Sequence, residues 1–237
     1  MTKGSVNSIE TFGLVDGPGI RNVIFLNGCK LRCLYCHNPE MWKMQELNYE
    51  PIDIVKKVVR YKPYFGTKGG VTFSGGEPLL QKDFLIETMK LLKEENINIA
   101  IDTSGVGNGN YDEILSLTDL VLLDIKHVDL DKYKNLTGLD NLSEFDKFVE
   151  ALNKSNAKVW IRQVIVPGMM DNITYLIKLK KYLKNIKNIE RIDFLPYHKL
   201  GREKYISLGL DYPLENLNEM DIDKNNELYE IFKKLEV

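Results

Sequence analysis

Short apolar runs bounded by turn residues alternate with stretches whose apolar positions recur every three or four residues. The runs Asn22–Leu26, Gly70–Ser74, Asn98–Thr103, Leu120–Ile125, Lys158–Val166 and Arg191–Pro196 read as strands. Between them lie helical stripes. One is Ile52, Val55, Val58 and Val59, and a second is Phe84, Leu85, Met89 and Leu92 within Gln81–Glu95. Phe145, Phe148, Val149 and Leu152 form a third, and Leu176, Leu179, Tyr182 and Leu183 a fourth, with Asp171 or Asn172 as its cap. The alternation predicts α/β architecture with a parallel sheet. Six units are too few for a closed eight-stranded barrel. They suit a partial (β/α)6 TIM-like barrel, folded as a single domain over residues 1–237. Function in such sheets gathers at the C-terminal ends of the strands. Residues Tyr205–Asp223 read as a surface excursion before the last helix.

Composition removes several classes. At 237 residues with a net charge of −2, there is no electrostatic case for nucleic acid. The opening MTKGSVNSIE lacks the basic-then-apolar pattern of an export signal. The apolar runs are far too short to cross a bilayer, so no membrane association is expected. The expected home is a reducing cytoplasm, and nothing suggests more than a monomer. No internal repeat or linker is visible.

All three cysteines lie within eight residues: Cys29, Cys33 and Cys36, spaced C-x3-C-x2-C. Structural zinc wants a fourth ligand. His37 could serve on paper, but adjacent side chains such as Cys36 and His37 seldom reach one small ion. Cys33 to His37 also spells C-x-x-C-H, a haem attachment pattern, but that leaves Cys29 unused and needs export. A disulfide with one spare thiol suits an oxidising compartment instead. A four-iron, four-sulfide cluster usually takes four thiolates. Held by three, it keeps one iron open to a ligand.

The spacing resembles the signature of the radical S-adenosylmethionine (radical SAM) enzymes. DGPGIR (16–21), CHNPE (36–40), GGVTFSGGEPLLQ (69–81), DTSG (102–105), LDIKH (123–127), WIRQVIVPG (160–168) and PYHKLG (196–201) extend the resemblance nearly end to end. Together they resemble the glycyl-radical-enzyme activases of that family. No cysteine-rich insertion follows the first helix, which points toward the type acting on pyruvate formate-lyase. The resemblance implies a radical SAM core in which Cys29, Cys33 and Cys36 hold a [4Fe-4S] cluster that binds SAM. The resulting radical would take a hydrogen atom from the partner's glycine loop. A flavodoxin or similar small carrier would supply the electron.

Polar residues follow each predicted strand. Gly76 and Glu77, in a glycine pair that lets backbone approach a ligand closely, would meet the SAM amino group. Asp102 and Thr103, with the Leu122 carbonyl, would hold a monovalent cation. Asp124 and Lys126 share one face of a strand. With Ile125 they are SAM contacts by resemblance. His198, Tyr35 and His37 would lie near the adenine. Arg162 sits in an otherwise apolar strand, where a charge needs a partner; pairing with a core carboxylate and a catalytic role are both open. Asp16 would hold the backbone of the partner's loop. The rivals are an activase of another glycyl radical enzyme, a radical SAM enzyme acting on a small molecule, and an iron–sulfur electron-transfer module. The last would need no SAM pocket.

Overall fold

The computed structural model describes residues 2–236. Strands β1 (Val6–Gly13), β2 (Arg21–Leu26), β3 (Gly70–Gly75), β4 (Asn98–Thr103), β5 (Leu120–Asp124), β6 (Lys158–Ile165) and β7 (Ile189–Pro196) form one sheet in sequence order. β2 to β7 are parallel, the six strands of the sequence reading, and β1 pairs antiparallel with β2. β1 and β7 are the free edges, so the barrel is open.

β1 was not legible as a strand. It has one neighbour, only Val6 of it is buried, and irregularities between Val6 and Ser8 and between Glu10 and Gly13 break its alternation. Edge strands of this kind carry little apolar periodicity.

Side-chain alternation divides the sheet into two faces. Ile24, Phe73, Ile101, Leu123 and Ile161 are fully buried in the main core. That core also takes the apolar faces of α1 (Pro51–Val59), α2 (Lys82–Glu94), α5 (Ser143–Leu152) and α6 (Ile173–Leu183); on α1 the inward residue is Ile54, and Ile52, placed on the stripe from the sequence, is exposed because the first turn presents it to solvent. Each such side chain contributes roughly 1.5–3 kcal/mol on burial. The intervening residues face the barrel's interior. There Ala100, Leu120, Leu122 and Trp160 form a separate apolar patch. In register beyond it toward the strand ends, Asp124 lies beside Arg162, and Arg162 beside Asp193. The interior is therefore apolar midway and charged at the top.

α3 (Asp112–Ser116), α4 (Leu130–Thr137), α7 (Arg202–Ser207) and α8 (Ile222–Lys234) complete the α-helices among the described residues. Asn172, not Asp171, caps α6, its Oδ1 accepting from the Tyr175 amide at 3.0 Å. Asp171 instead accepts from the Gly168 amide and pairs with Lys224. The 205–223 segment is no simple surface excursion. Tyr205, Tyr212, Leu214 and Met220 are buried, and the Tyr197 and Tyr212 hydroxyls meet at 3.0 Å. Among the described residues no helix is long and apolar enough to cross a membrane.

Candidate functional site

The loop after β2 carries all three thiols, and its path is fixed by neighbours rather than by regular structure. The last carbonyls of a helix lack intrahelical donors. Here the Arg32 and Leu34 amides supply them, donating to Thr137 and Leu136 at the end of α4 at 2.7 and 2.9 Å. The Gly28 and Cys29 amides donate to Met41 and Trp42. So anchored, Cys29, Cys33 and Cys36 line a cavity of about 500 Å³ at the C-terminal strand ends. They are free thiols. Burial pushes Cys29 up to about 12 and Cys33 up to about 11, and raises Cys36 too. Metal-free, the thiols stay protonated; as ligands they would need adjacent positive charge to ionise.

The facing wall is charged. Asp16, Asp102 and Asp124 line it with Lys126 and Arg162, a balance that favours a cationic guest. The Lys126 ammonium donates to Asp124 Oδ2 at 2.8 Å and lies 5.5 Å from the Tyr35 ring centroid. Burial opposes both charges, but the pairing outweighs it: Asp124 is held below the usual carboxylate range and Lys126 well above the usual amine range. Arg162 donates to Asp102 Oδ2 at 3.3 Å, and Ser74 Oγ donates to the same oxygen at 2.9 Å. Arg162 thus has a carboxylate partner, and that pairing lifts its guanidinium pKa further. Asp16 differs from the other two carboxylates. Its side chain takes no hydrogen bond or ion pair among the described residues, and burial raises its pKa against the pull of Arg162 and Arg21. It faces the cavity with its acceptors uncommitted.

His37 and His198 stack with ring centroids 4.2 Å apart, giving the cavity a flat polar end. His37 Nε2 lies 3.2 Å from the His198 carbonyl, so that ring is turned toward β7 rather than completing a tetrahedral thiolate site. Burial lowers the His37 pKa, against the His198 carbonyl that favours the charged ring. A larger hollow, about 850 Å³, opens at the opposite end of the barrel between Asn98, Leu120 and Lys158. It contains no cysteine and lies at the strand starts, away from the charged row.

This geometry agrees with the comparisons. Residues 23–179, more than half of the chain, match the family model described as "Radical SAM superfamily". The chain belongs to the radical SAM superfamily. It is 53% identical to the pyruvate formate-lyase-activating enzyme of Clostridium pasteurianum, over 99% of both chains. It is 45% identical to that of Staphylococcus epidermidis, over 97% of this chain and 95% of the relative. Among solved structures, Streptococcus suis SuiB bound to precursor peptide SuiA superposes with a TM-score of 0.68 at 18% identity, covering 89% of this chain and 44% of SuiB. That likeness concerns the fold alone.

Radical SAM enzymes use a [4Fe-4S] cluster and SAM, and the cavity suits both. Three thiols occupy one wall of a space much larger than one ion needs, while no three His, Cys, Asp or Glu among the described residues close on a single ion. Two buried polar atoms beside it, Tyr35 OH and His198 Nδ1, lack partners among the described residues, as groups that await a polar ligand do.

Three sequence-derived roles take a different form in this radical SAM site. The Glu77 carboxylate is turned away, accepting from Leu79 N, Thr103 Oγ1, Ser104 N and Ser104 Oγ at 2.6–3.2 Å. It ties the GGEP loop to the end of β4 and has no acceptor to spare for a ligand. For the same reason the Thr103 hydroxyl is committed, leaving Asp102 and backbone carbonyls for any cation. The Ile125 side chain lies in the core, and its amide donates to the Arg162 carbonyl. The glycine pair also has a closer cause than ligand approach. A Cβ on Gly75 would meet Leu26 N at 2.4 Å, and one on Gly76 would meet the Gly28 carbonyl at 2.3 Å. Sequence reasoning missed Ser74, Thr72 and Arg21; the charge opening an apolar strand was the available signal for Arg21.

Proposed function

We propose that this chain activates pyruvate formate-lyase by installing a glycyl radical on it. The observation that carries the reading is the three-thiol wall facing a row of paired charges, in a chain alike over its whole length to enzymes named for that activity. When bound, the cluster and SAM would supply the one-electron reductive cleavage of SAM whose radical chemistry removes a glycine Cα hydrogen from the partner.

The chain's own residues bind and orient. Cys29, Cys33 and Cys36 would hold the cluster. Backbone at Gly75 and Gly76 meets the SAM amino group. Asp102, with the Thr103 and Leu122 carbonyls, provides oxygen ligands for a monovalent cation. Asp124 and Lys126, already paired, present fixed dipoles to the nucleoside, as preorganised groups do without reorganising. The stacked His37 and His198 flank the adenine. Arg162 holds Asp102 in place. Asp16, with its unfilled acceptors, receives backbone N–H groups of the partner's glycine loop, which enters through the open side of the barrel. The chain works in the cytoplasm as a monomer, with a flavodoxin-like carrier as its reductant.

The test is anaerobic reconstitution, then mixing with pyruvate formate-lyase, SAM and a reductant. A glycyl radical signal in electron paramagnetic resonance is expected. Its absence, with SAM still cleaved, would move the substrate elsewhere; intact SAM would leave an electron-transfer module.

A further inference from the structure

Among the described residues the largest fully buried side chain is a charged one. Arg21, at the start of β2, is 0% exposed. It makes no ion pair among the described residues, and burial lowers its pKa to about 10. Burying an unpaired guanidinium is costly unless its donors are met. Here they are met by oxygens from four segments. Nε donates to Thr72 Oγ1 at 2.7 Å. Nη1 reaches the carbonyls of Pro18 at 3.3 Å and Lys68 at 3.2 Å. Nη2 reaches the Val71 carbonyl at 2.6 Å and Asn98 Oδ1 at 3.0 Å. The Thr72 hydroxyl, having accepted from Arg21, donates to the Asp16 carbonyl at 2.6 Å. Gly17, at φ +120°, lies against the arginine stem, where a Cβ would meet Arg21 Cδ at 2.9 Å.

The hydrogen bonds bracket one turn. Pro18 is held from one side by Arg21 and Asp16 from the other by Thr72, so the Asp16-Gly17-Pro18 backbone is fixed to the inner face of the sheet. A planar fork with five donors can bind several carbonyls at set angles, which an ammonium cannot. Core stability alone would be served as well by an apolar side chain at the start of β2. What an apolar side chain could not supply is a fixed backbone at Asp16, and with it the direction in which that side chain leaves the chain.

We propose that Arg21 and Thr72 are positioning residues: they lock the backbone of the turn so that Asp16 stands at the cavity, ready to offer its carboxylate to the backbone N–H groups of an incoming polypeptide loop. This rests on the reading of Asp16 as the contact to the partner. Preorganisation of this kind lowers the ordering cost of binding, so its loss weakens the polypeptide's affinity and not that of SAM.

The experiment measures binding without turnover. The anaerobically reconstituted protein, saturated with SAM and given no reductant, is titrated with a labelled peptide carrying the glycine loop of pyruvate formate-lyase, and anisotropy is read. SAM affinity is measured separately. Thr72→Val keeps the shape and removes the hydroxyl; its peptide affinity should fall about five- to tenfold, the scale of one hydrogen bond. SAM affinity should move less than twofold. Thr72→Ser should restore peptide binding. Gly17→Ala, which presses on Arg21 from the other side, should reproduce the Thr72→Val defect and covers the case in which that variant folds poorly. Unchanged peptide affinity in Thr72→Val and Gly17→Ala, beside a loss in Asp16→Ala, would overturn the latch alone. Peptide binding indifferent to Asp16→Ala would overturn the reading of Asp16, and the latch with it. Peptide and SAM affinities falling together in Thr72→Val would mark a merely structural role.

Discussion

Lys126→Met isolates the preformed charge pair. The Lys126 ammonium sits 2.8 Å from Asp124 Oδ2, with side chains 12% and 25% exposed. At that separation the direct attraction is about 6 kcal/mol with an effective dielectric of 20. Desolvation offsets part of it. Removing one partner from a buried pair costs about 3–5 kcal/mol, and the quarter-exposed carboxylate argues for the lower end. A destabilisation of about 3 kcal/mol is therefore expected, or about 6–12 °C in Tm for a chain of this size. The assay is a double-mutant cycle with Lys126→Met, Asp124→Leu and the pair together, followed by anaerobic urea unfolding of metal-free protein. The pH dependence carries a sign. Asp124 is depressed below its ordinary 3.8, so its contribution is complete above that value and fades as pH falls through the lower folded-state value. Lys126 is raised above 10.5, so its contribution is complete below that value and is lost only as pH climbs through the higher folded-state value. The coupling should thus be flat across the neutral range. A coupling below about 0.5 kcal/mol, the value of an exposed pair, would refute the picture of a preformed, partly desolvated pair.

Other outcomes follow from single contacts. Cys33→Ala should abolish the brown chromophore after anaerobic reconstitution while the metal-free Tm stays within a few degrees, read by iron content and calorimetry. Gly76→Ala places a Cβ 2.3 Å from the Gly28 carbonyl; it should move the cysteine loop and lower the iron bound per chain, whereas an unaffected iron content would show that the loop yields freely. Asn172→Ala removes the cap of α6 and should cost about 1 kcal/mol in urea unfolding. His198→Ala should weaken SAM affinity by removing one ring of the stacked pair, with little change in iron content.

The chemistry was legible because it is local. Three thiols within eight residues stay together in any fold, and the polar residues after each apolar run reach one rim once the strands are parallel. Asp124 and Lys126 face one way because strand side chains alternate. Glu77 was misread because its four donors come from residues up to 27 positions away, across a neighbouring strand. The β1 edge left no periodic trace because only Val6 of it is buried.

By itself the sequence determined the thiol cluster, the six parallel units and the rim on which the polar residues gather; these depend on spacing and periodicity, which short segments carry. Only tertiary structure decided that His37 stacks on His198, 161 positions away, that residues 205–220 close over their own buried tyrosines, and that a buried arginine fixes the Asp16 turn. The reason is register. Which side chains meet across a sheet depends on how strands align and how loops return, and no local pattern encodes that alignment.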